Sequence, residues 1–175
     1  LLVSCTTSRI GSDAMLAYDI GEYNKAIEKF VKARRKEKDR TKRIEYAYNI
    51  AECYRLTGRY EFAAQNYRYA IRLGYSDPIV IFYYAEMLRC SQEYEESIDN
   101  YRIYLESVPG DERALAGLEA IRLSQEWMAK PTRHIINPVK ELNSRESDYA
   151  PVFVGGRDNE IIFTSTRKAS TGKRQ

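Results

Sequence analysis

Apolar residues recur through the first 130 residues at the three- and four-residue spacing of amphipathic helices, and one pattern occurs three times. Each copy has a turn residue, an aromatic residue two positions later, then a small residue and another aromatic residue one helical turn further on. The copies are residues 21–33, 58–70 and 92–104. Tyr60 and Tyr94 are 34 residues apart, and Tyr23 and Tyr60 are 37 apart. The pattern therefore predicts a helical repeat.

Small residues at equivalent positions predict where paired helices pack closely. They are Ala26, Ala63 and Ser97 in the second helices, and Ala14, Ala51 and Ala85 in matching first helices. Gly21 and Gly58 stand where a helix ends and the backbone needs a left-handed conformation. Gln92 takes this position in the third copy. The three extra residues between the first two copies fall in the basic stretch 36–42.

This pattern resembles the tetratricopeptide-repeat family over roughly residues 8–110. Asp111 is placed to cap a further helix that runs through Trp127 to about Lys130, which would close the array. The resemblance implies an all-α tetratricopeptide-repeat superhelix of three helix pairs plus a capping helix, which would occupy residues 8–130.

The resemblance also implies which first-helix side chains line a concave groove. In this sequence they are Tyr18, Tyr48, Glu52, Arg55, Phe82, Glu86 and Arg89. Aromatic, carboxylate and guanidinium side chains thus recur one repeat apart. Two interpretations stay open. These side chains face solvent in the free protein and bind a segment of a partner, or the charged ones form ordinary ion pairs along a helix.

The net charge argues against a nucleic-acid partner, and one run of basic residues forms a candidate surface. The 28 basic and 25 acidic residues leave a formal net charge of +3, which is too balanced to predict a nucleic-acid partner. The strongest local charge is the run 32–43, whose candidate basic patch comprises Arg34, Arg35, Lys36 and Lys38. The run is suited to contact phosphate, anionic lipid headgroups or an acidic partner. No aromatic residue interleaves with it, so we favour the other interpretation, a solvated helix end and loop.

The chain offers no pattern of residues for catalysis. His134 is its only histidine and lies in a proline-containing connector. Cys53 and Cys90 lack CxxC spacing, and we expect both to be buried free thiols in helices. We therefore predict a protein that is not an enzyme, with no cofactor, no metal and no small-molecule substrate. The 15 tyrosines favour tight helix packing, a contact surface, or both.

The N-terminal residues Leu2-Val3-Ser4-Cys5 resemble a bacterial lipobox. We expect residues 1–7 to contain the end of a lipoprotein signal, with Cys5 as the acylated residue that anchors the mature protein. Thr6 rather than aspartate follows the cysteine, which favours the outer membrane. The alternative is a buried Cys5 in the first helix.

Composition changes after Lys130, and we expect a linker over residues 131–147. Two short strands then follow, Ser147–Phe153 and Glu160–Arg167, joined by a turn that contains Gly155 and Gly156. Residues 148–175 resemble the start of a WD40-like β-propeller of the bacterial periplasmic type. Since a propeller needs several blades, we expect the chain to be the N-terminal part of a longer protein, or the hairpin to dock on another structure.

The order of lipobox, repeat array and propeller start resembles the family of PorE-like lipoproteins of the type IX secretion system. The resemblance implies a scaffold or adaptor at the periplasmic face of the outer membrane, with secretion-system or other envelope proteins as partners. It would tether an outer-membrane complex to the cell wall through later domains. Three alternatives stay open: a general outer-membrane assembly lipoprotein, the non-catalytic N-terminal part of a larger envelope enzyme, and a cytosolic adaptor.

Overall fold

A computed structural model describes residues 2–130, 133, 135, 137–140 and 142–168, without the side chains of residues 2–8 and 157–159. His134 and the side chain of Cys5 lie outside the described residues. The elements are α1 (Leu2–Asp19), α2 (Tyr23–Lys36), α3 (Arg40–Leu56), α4 (Tyr60–Leu73), α5 (Ile79–Cys90), α6 (Tyr94–Ser107), α7 (Glu112–Ala129), β1 (Asp148–Val154) and β2 (Arg157–Ser165). The chain divides into two compact units, Leu1–Lys130 and Pro131–Gln175.

The first unit consists of three helix pairs followed by a single helix. Each helix packs mainly on its neighbours along the chain, so that α1–α2, α3–α4 and α5–α6 form hairpins and α7 closes the row against α6 and α5. Asp111 caps α7 by accepting a hydrogen bond from the Arg113 backbone amide at 2.9 Å. The predicted all-α array of three pairs and a capping helix is therefore confirmed.

The helix crossings lie where small residues recur. The small residues of all three copies are fully buried, namely Ala14, Ala26, Ala51, Ala63, Ala85 and Ser97. Phe30, Tyr67 and Tyr101, one turn further on, are also fully buried. The hydroxyl of Ser97 donates a 2.8 Å hydrogen bond to the carbonyl of Ala85, so this crossing gains a polar group without leaving it unpaired.

The three extra residues between the first two copies lengthen a helix rather than a loop. Helix α3 has 17 residues, whereas its counterpart α5 has 12. The additional residues lie at the start of α3, where the side chain of Asp39 accepts a 3.2 Å hydrogen bond from the amide of Lys42. An N-cap of this kind satisfies a helix amide that has no partner within the helix.

The turns between paired helices use left-handed backbone. Gly58 has φ +71°, and a side chain there would meet no other atom within 4 Å. Gln92 occupies the equivalent turn with φ +64°. A residue with a β-carbon is strained in this conformation, whereas glycine is not. The third repeat thus carries backbone strain that the first two avoid.

We expect Gln92→Gly to raise the free energy of unfolding by about 1 kcal/mol, because it relieves this strain. The reciprocal change, Gly58→Gln, should lower it by about the same amount, since only the backbone conformation is disfavoured. Urea denaturation of both variants tests this pair. Equal signs for the two changes would contradict the assignment.

The two described cysteines differ in exposure. Cys53 is buried as expected, but Cys90 is exposed, so the prediction of a buried thiol is wrong there. Cys90 is the last residue of α5, at the end of the helix. Burial raises the pKa of the Cys53 thiol to about 12, so this thiol stays protonated near neutral pH.

We therefore expect iodoacetamide to alkylate Cys90 in the native protein and to leave Cys53 unmodified. Cys53 should react more than about 1,000-fold more slowly, since it becomes accessible only when the protein opens. Peptide mass spectrometry over a time course distinguishes the two sites, and unfolding in urea serves as the control. Equal labelling of both residues in the native state would contradict the packing of α3.

The second unit contains an antiparallel hairpin, which confirms the two predicted strands. Gly155 and Gly156 form the turn, and β2 begins directly after them, earlier than expected. Asp148 accepts hydrogen bonds from Ser165 at 2.6 Å and from Arg167 at 2.8 Å. The guanidinium of Arg167 holds the pKa of this carboxyl below its usual range. In the described part of the chain, none of the helices is long and apolar enough to cross a bilayer.

Candidate functional site

The first helices of the repeats and the capping helix share one face, which we call the first-helix face. Side chains from α1, α3, α5 and α7 contact one another along it, although the four helices are separated in sequence. The contacts are Asn49 with Met15 at 3.5 Å, the Arg55 guanidinium over the Tyr83 ring at 4.6 Å, and the Arg113 guanidinium over the Phe82 ring at 4.7 Å.

Glu52 is buried on this face and has two partners. The hydroxyl of Tyr67, from the second helix of the same repeat, donates to its carboxylate. Arg55, one turn along α3, forms a two-pronged ion pair with it, with distances of 2.6 Å from Nη2 to Oε2 and 3.2 Å from Nε to Oε1. Burial and the Glu52 charge raise the pKa of Tyr67, so its hydroxyl remains a donor. We call this set a Glu–Arg–Tyr cluster.

A second Glu–Arg–Tyr cluster occurs one repeat later. Tyr101 donates to Glu86, and Arg89 pairs with the same carboxylate, with Nη2 at 2.9 Å from Oε2 and Nε at 3.4 Å from Oε1. Burial and the hydrogen bond to Glu86 raise the pKa of Tyr101. All three residues lie 34 positions after those of the first cluster. The periodicity of charge along the sequence therefore marks a repeated hydrogen-bonded unit.

The first repeat replaces the whole cluster. At the positions of the carboxylate, the guanidinium and the phenol it has Met15, Tyr18 and Phe30. Phe30 is fully buried without a polar atom, and the ring of Tyr18 contacts Tyr23 at 5.7 Å in an edge-on arrangement. Carboxylate and phenol are thus present together or absent together, as expected when each satisfies the other.

The expectation that the seven predicted groove side chains face solvent is wrong for Phe82 and Glu52, which are buried. Phe82 packs beneath the capping helix, and Glu52 is covered by the second helix of its own pair. Tyr48 is half-buried and stacks on Tyr75 at 4.5 Å. The side chains of Arg55 and Arg89 remain 27% and 31% exposed. The structure brings the seven residues onto one face, and only part of that face is open.

Arg113 was not among the predicted groove residues. Its side chain is 56% exposed and forms an ion pair with Asp111 at 2.6 Å, and Asp111 also accepts from Tyr104 at 2.7 Å. The Arg113 hydrogen bonds hold the pKa of Asp111 below its usual range. The signal was present in the sequence, since Arg113 follows an N-cap aspartate at the start of the helix beside α5.

An open groove of about 370 Å³ separates α5 from α7. Its lining residues are Phe82, Glu86 and Arg89 of α5 and Arg113, Ala116, Gly117 and Ala120 of α7. The α7 wall is built of small residues, so a bound backbone can approach the helix closely. Gly117 is required for a second reason, because a β-carbon there would lie 2.4 Å from Cζ of Tyr101.

The candidate basic patch is not a single surface. Arg34 points toward α4, with Nη1 at 3.4 Å from Oδ1 of Asn66 and its guanidinium over the Tyr69 ring at 5.0 Å. Burial lowers its pKa. The other three members of the patch are Arg35, Lys36 and Lys38. Arg35 and Lys36 belong to α2 and are exposed, whereas Lys38 lies in the connection between α2 and α3.

Comparisons with known proteins identify the fold. No family model matches the chain, and no curated protein sequence matches it. Solved structures similar to it include the Yersinia enterocolitica type III secretion chaperone SycD with a peptide of the translocator YopD, at 23% identity and a TM-score of 0.57, covering 69% of this chain and 95% of that chain. The second tetratricopeptide domain of human RPAP3 with an HSP70 peptide is similar at 18% identity and a TM-score of 0.59, covering 69% of this chain and 98% of that chain. The Sgt2 tetratricopeptide domain of Aspergillus fumigatus is similar at 17% identity and a TM-score of 0.57, covering 80% of this chain and 92% of that chain.

Within the described residues, no group of three or more histidine, cysteine, aspartate and glutamate side chains is placed to hold a metal ion. The shared architecture and the repeated turn chemistry agree with the similarity to the solved structures. The helical part of this chain has the tetratricopeptide-repeat fold.

Proposed function

We propose that the helical unit is a non-catalytic protein-interaction module, and that the groove between α5 and α7 binds an extended segment of a partner protein. One observation carries this proposal. The groove combines a wall of small residues with two partly exposed guanidiniums, Arg89 and Arg113, each held in place by a carboxylate. The geometry suits a peptide backbone flanked by polar side chains.

Fixing the arginines in advance favours binding. Each guanidinium already donates hydrogen bonds to Glu86 or Asp111. Little side-chain entropy is therefore lost when its remaining N–H groups donate to a partner. Guanidinium groups are well suited to carbonyl and carboxylate acceptors. Because both arginines are already paired with acids, we expect recognition of backbone carbonyls and polar side chains to dominate over net charge.

The fold neighbours support the general function. SycD has been solved with a peptide of YopD, and RPAP3 with an HSP70 peptide. Both were therefore solved with a peptide of another protein bound. These similarities support a scaffold or adaptor role and do not specify a partner for this chain.

Photo-crosslinking from the groove tests the proposal. A benzophenone amino acid replaces Ala116, which lines the groove, or Ala129, which is exposed on the last turn of the same helix. Crosslinks in intact cells should form from position 116 and not from position 129. Ala116→Trp, which fills the groove from its exposed side, should abolish binding of the captured partner, while Ala129→Trp should retain it. Binding that survives Ala116→Trp would place the partner elsewhere.

The finer setting that we propose is the periplasmic face of the outer membrane, with Cys5 acylated and the module serving a type IX secretion complex. The lipobox-like Leu2–Cys5 and the order of segments support this setting. Cleavage before Cys5 would remove only the first residues of α1.

Intact-mass analysis of the protein isolated from its native membrane tests the anchor. We expect a chain that begins at Cys5 and carries added acyl mass. Cys5→Ser should move the protein out of the membrane fraction, and Cys90→Ser serves as a matched control that should not. An unmodified Cys5 preceded by Ser4 would exclude the anchor without bearing on the groove.

A further inference from the structure

A second concave feature lies between the second helices α4 and α6. This pocket of about 400 Å³ is lined by Glu61, Ala64, Gln65 and Arg68 of α4, by Tyr84, Leu88 and Ser91 from α5 and its end, and by Glu93 and Glu96 at the start of α6. Three carboxylates and one guanidinium leave an excess of two negative charges. We call it the acidic pocket.

The equivalent seam between α2 and α4 differs in character. Where the acidic pocket has Ala64, Leu88 and Glu96, the preceding seam has Ile27, Tyr54 and Phe62. There the rings of Tyr54 and Phe62 stack at 5.3 Å. The repeat itself therefore permits an apolar seam, and the seam between α4 and α6 has Ala64 and Glu96 at positions where apolar packing is available.

A buried hydroxyl in the pocket has no partner within the described residues. The Oγ atom of Ser91 is buried and makes no hydrogen bond there. Its counterpart in the preceding repeat, Thr57, donates to the carbonyl of Cys53 at 2.9 Å and contacts that of Tyr54 at 3.1 Å. A buried polar group without a partner is costly, so the hydroxyl of Ser91 is an acceptor suited to a donor group that enters the pocket.

The other residues that line the pocket hold one carboxylate in place and form an apolar floor. The hydroxyl of Tyr84 donates to Glu96 at 2.5 Å, and Arg68 also interacts with this tyrosine. Glu96 is thus held by a hydrogen bond, and all three carboxylate residues, Glu61, Glu93 and Glu96, are exposed at the rim. Ala64 and Leu88 are buried beneath them and provide an apolar surface. An acidic rim above an apolar floor matches an alkyl chain that ends in a cation.

We propose that the acidic pocket binds one arginine or lysine side chain of a partner protein segment. The aliphatic stem contacts Ala64 and Leu88, the cationic group pairs with the rim carboxylates, and one N–H donates to Oγ of Ser91. This site is on the second-helix side and goes beyond the groove between α5 and α7. The two surfaces are independent, so the array can hold two segments at once.

Nuclear magnetic resonance titration with short peptides tests the proposal. The probes are N-acetyl-Gly-Ser-Xaa-Gly-Ser-amide, with arginine, lysine, citrulline or glutamate at Xaa. Arginine and lysine peptides should shift the amides of Leu88, Ser91 and Glu93 in a saturable manner, with Kd on the order of 1 mM. Citrulline has the shape of arginine without its charge and should bind at least about tenfold more weakly. Equal effects of the arginine and citrulline peptides would overturn the proposal.

Two variants locate the binding on the protein. Glu61→Gln with Glu93→Gln keeps the shape of the pocket and should weaken the arginine peptide by about tenfold. The control pair, Glu28→Gln with Glu45→Gln, removes two charges elsewhere and should leave affinity unchanged. Ala64→Ile with Glu96→Phe installs residues of the preceding seam and should abolish binding. Equal weakening by both glutamine pairs would overturn the proposal, as would spermidine binding more tightly than either cationic peptide.

Ala116→Trp separates this proposal from the proposed function. It blocks the groove between α5 and α7 and should leave the arginine-peptide titration unchanged. Loss of both activities in this variant would show that the acidic pocket is not an independent site.

Discussion

Phe82→Ala should lower the free energy of unfolding by about 3–5 kcal/mol, the range for removing a buried aromatic side chain. Phe82 is only 6% exposed and packs against the rings of Tyr83, Tyr101 and Tyr104 at centroid distances of 5.3–6.1 Å. Arg113 covers its outer face. Truncation would therefore leave a cavity at the junction of α5, α6 and α7, which these surrounding helices cannot easily close.

Phe62→Ala is the matched control. Phe62 is 52% exposed and contacts Tyr54 on the surface, so the same truncation should cost no more than about 1 kcal/mol. Guanidinium denaturation followed by far-ultraviolet circular dichroism measures both variants. Equal losses for the two would contradict the burial of Phe82. Because Phe82→Ala is expected to destabilise the fold, a binding defect in this variant would not identify a ligand contact. Ala116 is therefore the better position for probing the groove.

Tyr67→Phe should cost about 1.5–3 kcal/mol, because it deprives a buried carboxylate of a hydrogen bond. Glu52→Met alone should also destabilise, since it leaves the buried hydroxyl of Tyr67 and the guanidinium of Arg55 without their acceptor. The double variant should be less destabilised than the sum of the two, with a coupling of about 1–2 kcal/mol. The first repeat carries apolar side chains at both positions, Met15 and Phe30.

A double-mutant cycle measured by urea denaturation checks this coupling, with Tyr60→Phe as the control. Tyr60 is exposed and its hydroxyl lies outside the cluster, so its change should be small and additive with Glu52→Met. Additive effects of Glu52→Met and Tyr67→Phe would show that the two groups do not depend on each other.

The sequence was sufficient to predict the array because its helix pairing depends on local periodicity. Small residues such as Ala63 and Ser97 recur at one spacing, and a crossing of two helices requires them at that spacing. The extra turn of α3 was not predicted, since an insertion of three residues is compatible with either a longer loop or a longer helix. Only the cap at Asp39 distinguishes the two.

The candidate face was harder to predict, because periodicity places a residue on one side of a helix without showing what covers it. For Glu52 and Glu86 the sequence left two interpretations open, ligand contacts or ion pairs along a helix. Both form the ion pair with arginine, and each also accepts from a tyrosine of its partner helix. The replacement of carboxylate and phenol together in the first repeat is a signal in the sequence that would have indicated this pairing. Arg113 lies outside the repeat, so no comparison of copies could identify it.

The connection between α5 and α6 combines three unfavourable features within three residues. Ser91 has a buried hydroxyl without a partner in the described chain, Gln92 has strained backbone, and Glu93 borders an acidic pocket. In an array held together by neighbour contacts, such a joint separates regions of different local stability. Amide protons of α6 and α7 should therefore exchange with solvent through partial opening, whereas those of α3 and α4 should exchange only on global unfolding. Occupation of the acidic pocket would slow that exchange, so that a partner could rigidify the end of the array without changing its shape.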